Sequence, residues 1–367
     1  MTAEIAEVPR RAIDEIAARG EIGGRTLQIV AGGDVECAVY EPAPLPEDWV
    51  RVRTVRSAIS PGTEMTFYGR GATNVYLHKR WNEELRLFES GTASLEYPIA
   101  FGYRAAGEVV ESRSPDVSPG QRVYGSWRHT ELTAMPAERA AAQALPEPLS
   151  WDDGVDIGQM GPICVNAVAH AEGAHAGHPA VVFGAGVVGL ITSQVVRATG
   201  ASRVHVVDRL ASRLRIAESL GFEPVDASQP GDLAVALKRE HGSEGIPVAW
   251  ECTGSARALH EAIRVVRRRG TVISAGFYQG EASGLFLGDE FHHNGIRVIC
   301  GQIGNLHPSE TWETLRWRTL GMVLSGRLLL GALPRMTLPV ERGAEGFVAL
   351  TRPADVFQVA LRYDGAA

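Results

Sequence analysis

The sequence predicts an α/β protein in which an all-β amino-terminal part precedes a doubly wound parallel sheet. Short runs with period-two alternation, separated by prolines, indicate strands between Thr26 and Met135. After about Val155, apolar strand-like runs alternate with helix-compatible stretches, which is the pattern of a parallel sheet with helices on both faces. The 367 residues are enough for about two domains.

Taken in order, the first part begins with a polar stretch that favours a helix over Arg10–Arg19 and continues into strands. The loop Ser57–Gly69 opens into a short helix, and the polar, aromatic segment Arg70–Pro98 is long enough for a lid or binding loop. The predicted strands of this part are Leu27–Val30, Glu36–Tyr40, Trp49–Val55 and two within Pro98–Glu111.

The second part begins with a predicted helix over Val155–Ala171 and ends in a helix, a strand and a last helix–strand pair. The predicted strands are Val181–Phe183, Val204–Val207, a short one near Pro224, Val248–Glu251, Thr271–Ala275, Arg297–Gln302, Leu333–Leu338 and Val356–Tyr363. The predicted helices after the first are Val187–Ala198, Ser212–Leu220, Asp232–His241, Ala256–Arg269, Ser309–Leu324 and Glu341–Leu350.

The composition excludes several classes of protein. Hydrophobic residues make up 45% and charged residues 22%, as in soluble globular proteins. A net charge of −7 without a long basic run argues against nucleic acid as a partner. No stretch approaches 18 apolar residues and none resembles a signal peptide, so we expect no membrane partner and a cytoplasmic location. The four cysteines are far apart and are expected to be buried thiols.

The most informative stretch is Val181–Asp208, which predicts a dinucleotide site. Gly184, Gly186 and Gly189 form G-x-G-x-x-G between an apolar strand and a helix. The first glycine permits a tight turn, the second lets a pyrophosphate approach the backbone, and the third lets helix pack on strand. Asp208 ends the next strand, where a carboxylate accepts hydrogen bonds from ribose hydroxyls.

This block, the all-β part before it and AWECTG…RRRGTVISAGFYQG after it resemble the medium-chain dehydrogenase/reductase superfamily from about Leu27 onward. The resemblance implies a GroES-like β-barrel catalytic domain over residues 1–155, a Rossmann domain over 156–304 and a return to the catalytic domain over 305–367. It also implies a homodimer and a small-molecule substrate. The expected cofactor contacts are Gly184, Gly186, Val187, Val188, Gly189, Asp208, Arg209, Arg213, Cys252, Thr253, Gly254, Gly276, Phe277, Tyr278, Gln302 and Ile303.

Asp208 favours NAD over NADP because a carboxylate repels a 2′-phosphate, although Arg209 beside it is a residue that can accommodate one. Zinc-dependent members of the superfamily carry Cys, His and Glu ligands at positions that here hold Ser60, Tyr103 and Arg104. These side chains are poor zinc ligands, so neither a catalytic nor a structural zinc is expected. SAISPGTE and FHHNGIRVICGQIG resemble a zinc-free subgroup of bacteriochlorophyllide- or cyclitol/sugar-dehydrogenase-like proteins.

Without zinc, side chains must take up the proton of the substrate hydroxyl, or polarise the carbonyl in the reverse reaction. Arg104 is a candidate for stabilising an alkoxide, and Tyr103 for carrying the proton with a pKa lowered by that guanidinium. Glu64 is either a base or the ion-pair partner of Arg104. Ser60 either binds substrate or stabilises its turn, and His129 either lines the pocket or lies at the surface.

We therefore expect a zinc-independent, NAD-dependent oxidoreductase acting on a secondary alcohol or ketone of a sugar, cyclitol or similar polar ring. Two alternatives stay open at this point. One is an enone or quinone reductase, whose conjugated acceptor needs no metal, although such reductases usually take NADPH. The other is a catalytically idle dinucleotide-binding protein.

Overall fold

The computed structural model of the chain describes residues 24–91 and 93–363. The helix expected over Arg10–Arg19 lies outside these residues. The strands are β1 Gly24–Ile29, β2 Val35–Tyr40, β3 Trp49–Ile59, β4 Lys79–Asn82, β5 Leu87–Ser90, β6 Ile99–Ala100, β7 Ala105–Ser112, β8 Arg122–Gly125, β9 Leu132–Pro136, β10 Pro179–Phe183, β11 Arg203–Asp208, β12 Glu223–Asp226, β13 Val248–Glu251, β14 Thr271–Ser274, β15 Arg297–Cys300, β16 Met336–Pro339 and β17 Val359–Arg362. The helices are α1 Ala137–Ala142, α2 Trp151–Ile157, α3 Met160–Ala169, α4 Val187–Ala198, α5 Ala211–Ser219, α6 Leu233–His241, α7 Ala256–Val265, α8 His292–Asn294, α9 Trp312–Leu324 and α10 Gly343–Leu350.

The chain forms two compact units. Of the described residues, the first contains 24–91, 93–158, 335–352 and 358–363, and the second contains 159–334 and 353–357. The chain returns to the first unit at Arg335, whereas the sequence analysis placed this return at residue 305. The difference arises because α9 packs on α3 within the second unit.

In the second unit, six parallel strands form one sheet in the order β12-β11-β10-β13-β14-β15. This is the doubly wound order that reverses direction beside the first strand of the nucleotide motif. The strand residues Val181, Phe183, Val207, Ala249 and Val272 belong to its buried core. The predicted parallel sheet is confirmed.

In the first unit, the chain forms mostly antiparallel sheets, as predicted for the all-β part. The larger sheet has the order β16-β17-β3-β7-β8, with β9 also paired to β3, and the smaller has the order β2-β1-β6. Val50, Val52, Val109, Val123 and Trp127 form part of a buried core here. The long segment after Gly69 contains the hairpin of β4 and β5.

Two expectations of the sequence are wrong in detail. The helix predicted over Val155–Ala171 is interrupted after Ile157, since Gln159 leaves the helical conformation and α3 restarts with Pro162 in its first turn. A proline is tolerated there because the N–H it lacks would have no intrahelical partner. Of the four cysteines, Cys164 is buried, Cys37 and Cys252 are partly buried, and Cys300 is exposed on edge strand β15.

No helix within residues 24–91 and 93–363 combines the length and apolar character needed to cross a membrane.

Candidate active site

The glycine-rich turn of the second unit has the geometry that each glycine was predicted to provide. Gly184 has φ +99°, which only glycine adopts readily. A Cβ on Gly189 would lie 1.6 Å from Gly184 O, so helix α4 approaches the loop as closely as a backbone can. A Cβ on Gly186, the N-cap of α4, would meet nothing within 4 Å. The turn therefore keeps open space at a helix N-terminus, where a pyrophosphate fits.

Asp208 lies at the carboxyl end of β11, beside this turn. Its Oδ2 accepts a hydrogen bond from Ala185 N at 2.7 Å, and its Oδ1 accepts from Arg209 N at 2.7 Å and Leu210 N at 2.9 Å. A carboxylate has about four lone-pair sites, so acceptor capacity remains for ribose hydroxyls. Of its neighbours, Arg209 is exposed to solvent.

Two further loops of the second unit are joined by a residue that the sequence analysis did not single out. Glu251 ends β13 with its carboxylate buried, where it accepts hydrogen bonds from Thr253 N at 2.7 Å, Gly254 N at 3.1 Å and Tyr278 Oη at 2.5 Å. Burial raises the pKa of Glu251. An acid ending the otherwise apolar strand VAWE was the available signal.

The two loops joined by Glu251 approach each other closely at Gly254 and Gly276. A Cβ on Gly254 would meet Phe277 O at 2.6 Å, and a Cβ on Gly276 would meet Gly254 N at 2.2 Å. Gln302 supports the same segment by donating to Ala275 O at 2.7 Å. The expected contacts are grouped at the carboxyl ends of the strands, where ligands of such sheets bind. The other members differ in exposure, with Val187 buried, Val188, Cys252 and Ile303 partly buried, and Phe277 exposed.

The guanidinium of Arg213, which the sequence analysis expected near the adenosine, is held by other groups of the protein. Its guanidinium is buried and donates to the carbonyl oxygens of Pro353, Val356 and Phe357 at 2.9–3.2 Å, and it also stacks on the ring of Phe357. Burial lowers the pKa of Arg213. The side chain therefore holds the 353–357 segment, a partner that spacing along the sequence does not reveal.

In the first unit, four buried polar side chains form one hydrogen-bonded chain. His129 Nε2 lies 3.0 Å from Glu64 Oε2, and His129 Nδ1 lies 2.8 Å from Ser57 Oγ. Ser57 Oγ in turn lies 2.8 Å from Tyr363 Oη. In the tautomer with the ring proton on Nε2, His129 donates to the carboxylate of Glu64 and its Nδ1 accepts from the serine hydroxyl.

This chain ends on a carboxylate oxygen that is not satisfied. Glu64 Oε1 is buried and has no hydrogen-bond partner within the described residues. The hydrogen-bond partner of Glu64 is His129, and Arg104 pairs with Asp156 instead, so the ion pair of Glu64 with Arg104 considered in the sequence analysis is wrong. A surface position for His129 is likewise wrong, since it is fully buried.

Tyr103, which is partly exposed, and Ser60, which is buried, are hydrogen-bonded to each other, and the charge of Glu64 acts on Tyr103. Tyr103 Oη donates to Ser60 Oγ at 2.5 Å, and Ser60 Oγ also accepts from Thr63 N at 3.2 Å. Ser60 thus stabilises its turn, which was one of the two roles that the sequence analysis considered for it. Burial and the negative charge of Glu64 raise the pKa of Tyr103, and the smaller effect of the Arg104 charge lowers it. The expectation of a lowered pKa is therefore wrong, because burial and Glu64 outweigh the lowering effect of Arg104, and Tyr103 is suited to donating a hydrogen bond.

Arg104 is a buried structural cation. Its Nη1 lies 2.8 Å from Asp156 Oδ1, and both side chains are completely excluded from solvent. Its remaining groups donate to Ala58 O, Ile59 O and Gln358 Oε1 at 3.1 Å. A guanidinium held in this way cannot reach a substrate, so its predicted contact with an alkoxide is wrong.

The residues at the three family ligand positions do not fit a zinc ion. Ser60 is occupied by Tyr103 and by the backbone, and Arg104 is a cation. Zinc sites in proteins use Cys, His, Asp and Glu. Within residues 24–91 and 93–363, groups of at least three such side chains with converging ligand atoms occur at His205, Glu240 and His241, and at His260, Asp289 and Glu290, both in the second unit.

Comparisons with known proteins agree with this architecture. Residues 187–319 match the family model described as zinc-binding dehydrogenase. D-guloside 3-dehydrogenase of Escherichia coli (strain K12) is 27% identical over 270 residues, which cover 71% of this chain and 75% of that protein. Sorbitol dehydrogenase of Rattus norvegicus is 32% identical over 207 residues, covering 55% of this chain and 54% of that protein.

Among solved structures, 2R,3R-butanediol dehydrogenase from Bacillus subtilis superposes with a TM-score of 0.75 at 20% identity, covering 93% of this chain and 100% of that one. The fold is thus a GroES-like domain with a Rossmann domain, as the sequence predicted. The glycine-rich turn, the sheet order and these relatives together place the chain in the medium-chain dehydrogenase/reductase superfamily.

Proposed function

We propose that the protein is a zinc-independent, NAD-dependent dehydrogenase that acts on a secondary alcohol, or the matching ketone, of a sugar, cyclitol or similar polar ring. The relatives named for D-guloside, sorbitol and butanediol support an alcohol carbon flanked by polar groups as the substrate class. The observation that carries the proposal is the presence in one chain of an intact dinucleotide turn and of a polar cluster that includes Ser60 and Tyr103, two of the family's metal-ligand positions.

The preference for NAD rests on Asp208, whose carboxylate lies beside the turn and disfavours a 2′-phosphate. Wild-type protein should bind NADH more tightly than NADPH in a fluorescence titration. Asp208→Ala should weaken NADH binding by about 1–2 kcal/mol, the size of a hydrogen bond to a charged acceptor. Equal or tighter binding of NADPH by the wild type would contradict this part of the proposal.

Zinc independence rests on the donor set at the ligand positions, since Ser60, Tyr103 and Arg104 offer no thiolate, imidazole or carboxylate. We assign the proton chemistry to two neighbouring groups. Tyr103, whose pKa is raised, keeps its proton at neutral pH, and on substrate binding its O–H turns from Ser60 Oγ to donate a hydrogen bond to the substrate oxygen. Glu64, with one oxygen unsatisfied and the other held by His129, takes up the alcohol proton as hydride leaves the carbon.

The test is a screen for nicotinamide absorbance change with sugars, cyclitols, polyols and enones, followed by two variants. Tyr103→Phe and Glu64→Gln each change one functional group at nearly constant volume, so NADH binding should be preserved. Turnover should fall about 10²–10⁴-fold in Glu64→Gln if this carboxylate is the base. Wild-type turnover in both variants would refute the assigned roles.

The same screen separates the alternatives. Reduction of enones but not oxidation of alcohols would identify an enone or quinone reductase, and NADH binding without turnover on any substrate would favour an idle binding protein.

The homodimer stays a proposal, supported by the edge position of β15, whose Val298 and Cys300 are exposed. Sedimentation of the purified protein at about 39 kDa would contradict it.

A further inference from the structure

A cluster of histidine and glutamate side chains lies on the nucleotide-binding sheet, away from the predicted cofactor contacts. His205 is on β11, Glu223 begins β12, and Glu240 and His241 end helix α6. His205 precedes Asp208 by three residues, a distance of about 10 Å along an extended strand. The cluster is thus separate from the dinucleotide turn, and the proposed reaction uses none of these side chains.

The two imidazoles face each other through the same ring atom. His205 Nε2 lies 2.7 Å from His241 Nε2, and Glu240 Oε1 lies 3.5 Å from His241 Nε2. One ligand atom from each of the three side chains falls within 4.8 Å of the other two. At this distance one nitrogen carries a proton and the other accepts it, and both offer lone pairs to a metal once the donor ring holds its proton on Nδ1 instead.

The surroundings resemble the outer shell of a metal site. Glu223 Oε2 lies 3.5 Å from His205 Nδ1, on the side of the ring opposite His241. Histidines that bind metals commonly donate their second N–H to a carboxylate, which fixes the ring and its tautomer. Arg203 orients both acids, since its Nε lies 2.7 Å from Glu223 Oε1 and its Nη1 lies 2.7 Å from Glu240 Oε1.

The charges also permit a divalent cation. Two carboxylates and one guanidinium carry one net negative charge, and imidazoles bind metals in their neutral form, so a divalent ion leaves the site with one positive charge. Glu240 Oε1, which lies 3.5 Å from His241 Nε2, also pairs with Arg203, and a carboxylate oxygen has two lone pairs with which to contact both the guanidinium and a metal ion. His205 is buried and fixed on its strand, whereas the His241 side chain is 12% exposed and is followed by Gly242 with φ +78°.

We propose that His205, His241 and Glu240 bind one divalent transition-metal ion of the Zn²⁺ class, with Glu223 supporting His205 and water completing the coordination. Nitrogen ligands lie about 2.0–2.1 Å from zinc, so two of them in a tetrahedron are about 3.4 Å apart. The rings must therefore separate by about 0.7 Å, which His241 can provide at its helix end. The bound ion would tie the end of α6 to β11.

The other histidine–acid group is a weaker candidate and a useful control. His260, Asp289 and Glu290 offer one imidazole, and Glu290 is already paired with Arg264 at 3.3 Å. Two imidazoles favour borderline metals over Mg²⁺ or Ca²⁺, which prefer oxygen ligands. The first group therefore has the donor set that suits zinc.

The experiment is calorimetric titration of the full chain, stripped with a chelator, with zinc chloride alone. We expect one ion per chain with micromolar or tighter affinity, and at least a 100-fold loss in His241→Ala. Glu240→Gln, an exposed substitution, should weaken binding at least tenfold without risk to folding. Asp289→Asn at the other group and His178→Ala at an exposed histidine should leave the affinity unchanged.

A second readout identifies the ligands. Cu²⁺ bound to the wild type should show electron paramagnetic coupling to two imidazole nitrogens, and to one in His241→Ala. The inference is overturned if wild-type protein binds no zinc below millimolar concentration. It is also overturned if Asp289→Asn abolishes binding, or if His241→Ala and Glu240→Gln leave it intact. The proposed function does not enter any of these measurements.

Discussion

The buried Arg104–Asp156 pair gives the sharpest prediction, because it separates a structural role from the catalytic one expected from the sequence. Arg104→Met keeps an unbranched apolar stem and removes the guanidinium. Asp156 then keeps only Arg335, whose Nη2 is 3.3 Å away, and is otherwise an uncompensated buried charge. Breaking a buried pair from one side costs about 3–5 kcal/mol, so we expect a loss near the lower figure because Arg335 remains.

The measurement is urea unfolding of the variant beside the double variant Arg104→Met/Asp156→Leu. Replacing both members of a buried pair by apolar residues is often neutral, so the double variant should recover most of the stability. The folded fraction of either protein should keep wild-type turnover. A stability within about 0.5 kcal/mol of wild type together with a 100-fold loss of turnover would refute the structural role.

Two further predictions concern the second unit. Gly186→Ala should unfold like the wild type but bind NADH at least tenfold more weakly, because its Cβ would occupy only the space left for a pyrophosphate. Gly189→Ala should instead lose about 1–3 kcal/mol of stability by overpacking against Gly184 O. Equal NADH affinity in Gly186→Ala and wild type would contradict the first expectation. Burial lowers the pKa of His175, so its contribution to stability is present above the unfolded pKa of about 6.5 and is lost as pH falls through the folded pKa. His175→Phe should keep the edge-to-face contact with Trp250 and flatten the pH dependence of the unfolding free energy below 6.5, and parallel curves for the two proteins would contradict the assignment.

The sequence predicted local features well because their causes are local. The glycine spacing, the apolar strand before it and Asp208 after it lie within 28 consecutive residues. The alternation of strands and helices then limits the sheet to few topologies. The observed strand order and the conformations of Gly184 and Gly189 follow from that information.

The charged side chains of the first unit were predicted less well because their partners are distant in the chain. Arg104 pairs with Asp156, 52 residues away, and with Gln358, 254 residues away. Glu64 and His129 are 65 residues apart. A sequence shows that a charge needs a partner but not which one, so the neighbours in sequence, Tyr103 and Arg104, were grouped although their side chains serve different purposes.

The position of β17 has a consequence for how the chain acquires its structure during synthesis. This strand lies inside the larger sheet of the first unit, hydrogen-bonded between β16 and β3, and Tyr363 just after it contacts Ser57. After the amino-terminal strands of this sheet are made, about 200 further residues are translated before β17 is available to pair with β3, roughly 10–40 s at ordinary ribosomal speeds. The second unit, almost continuous in sequence, can fold during that interval. One edge of β3, over residues 56–59, is thus left unpaired on the nascent chain, where chaperones have the longest opportunity to bind.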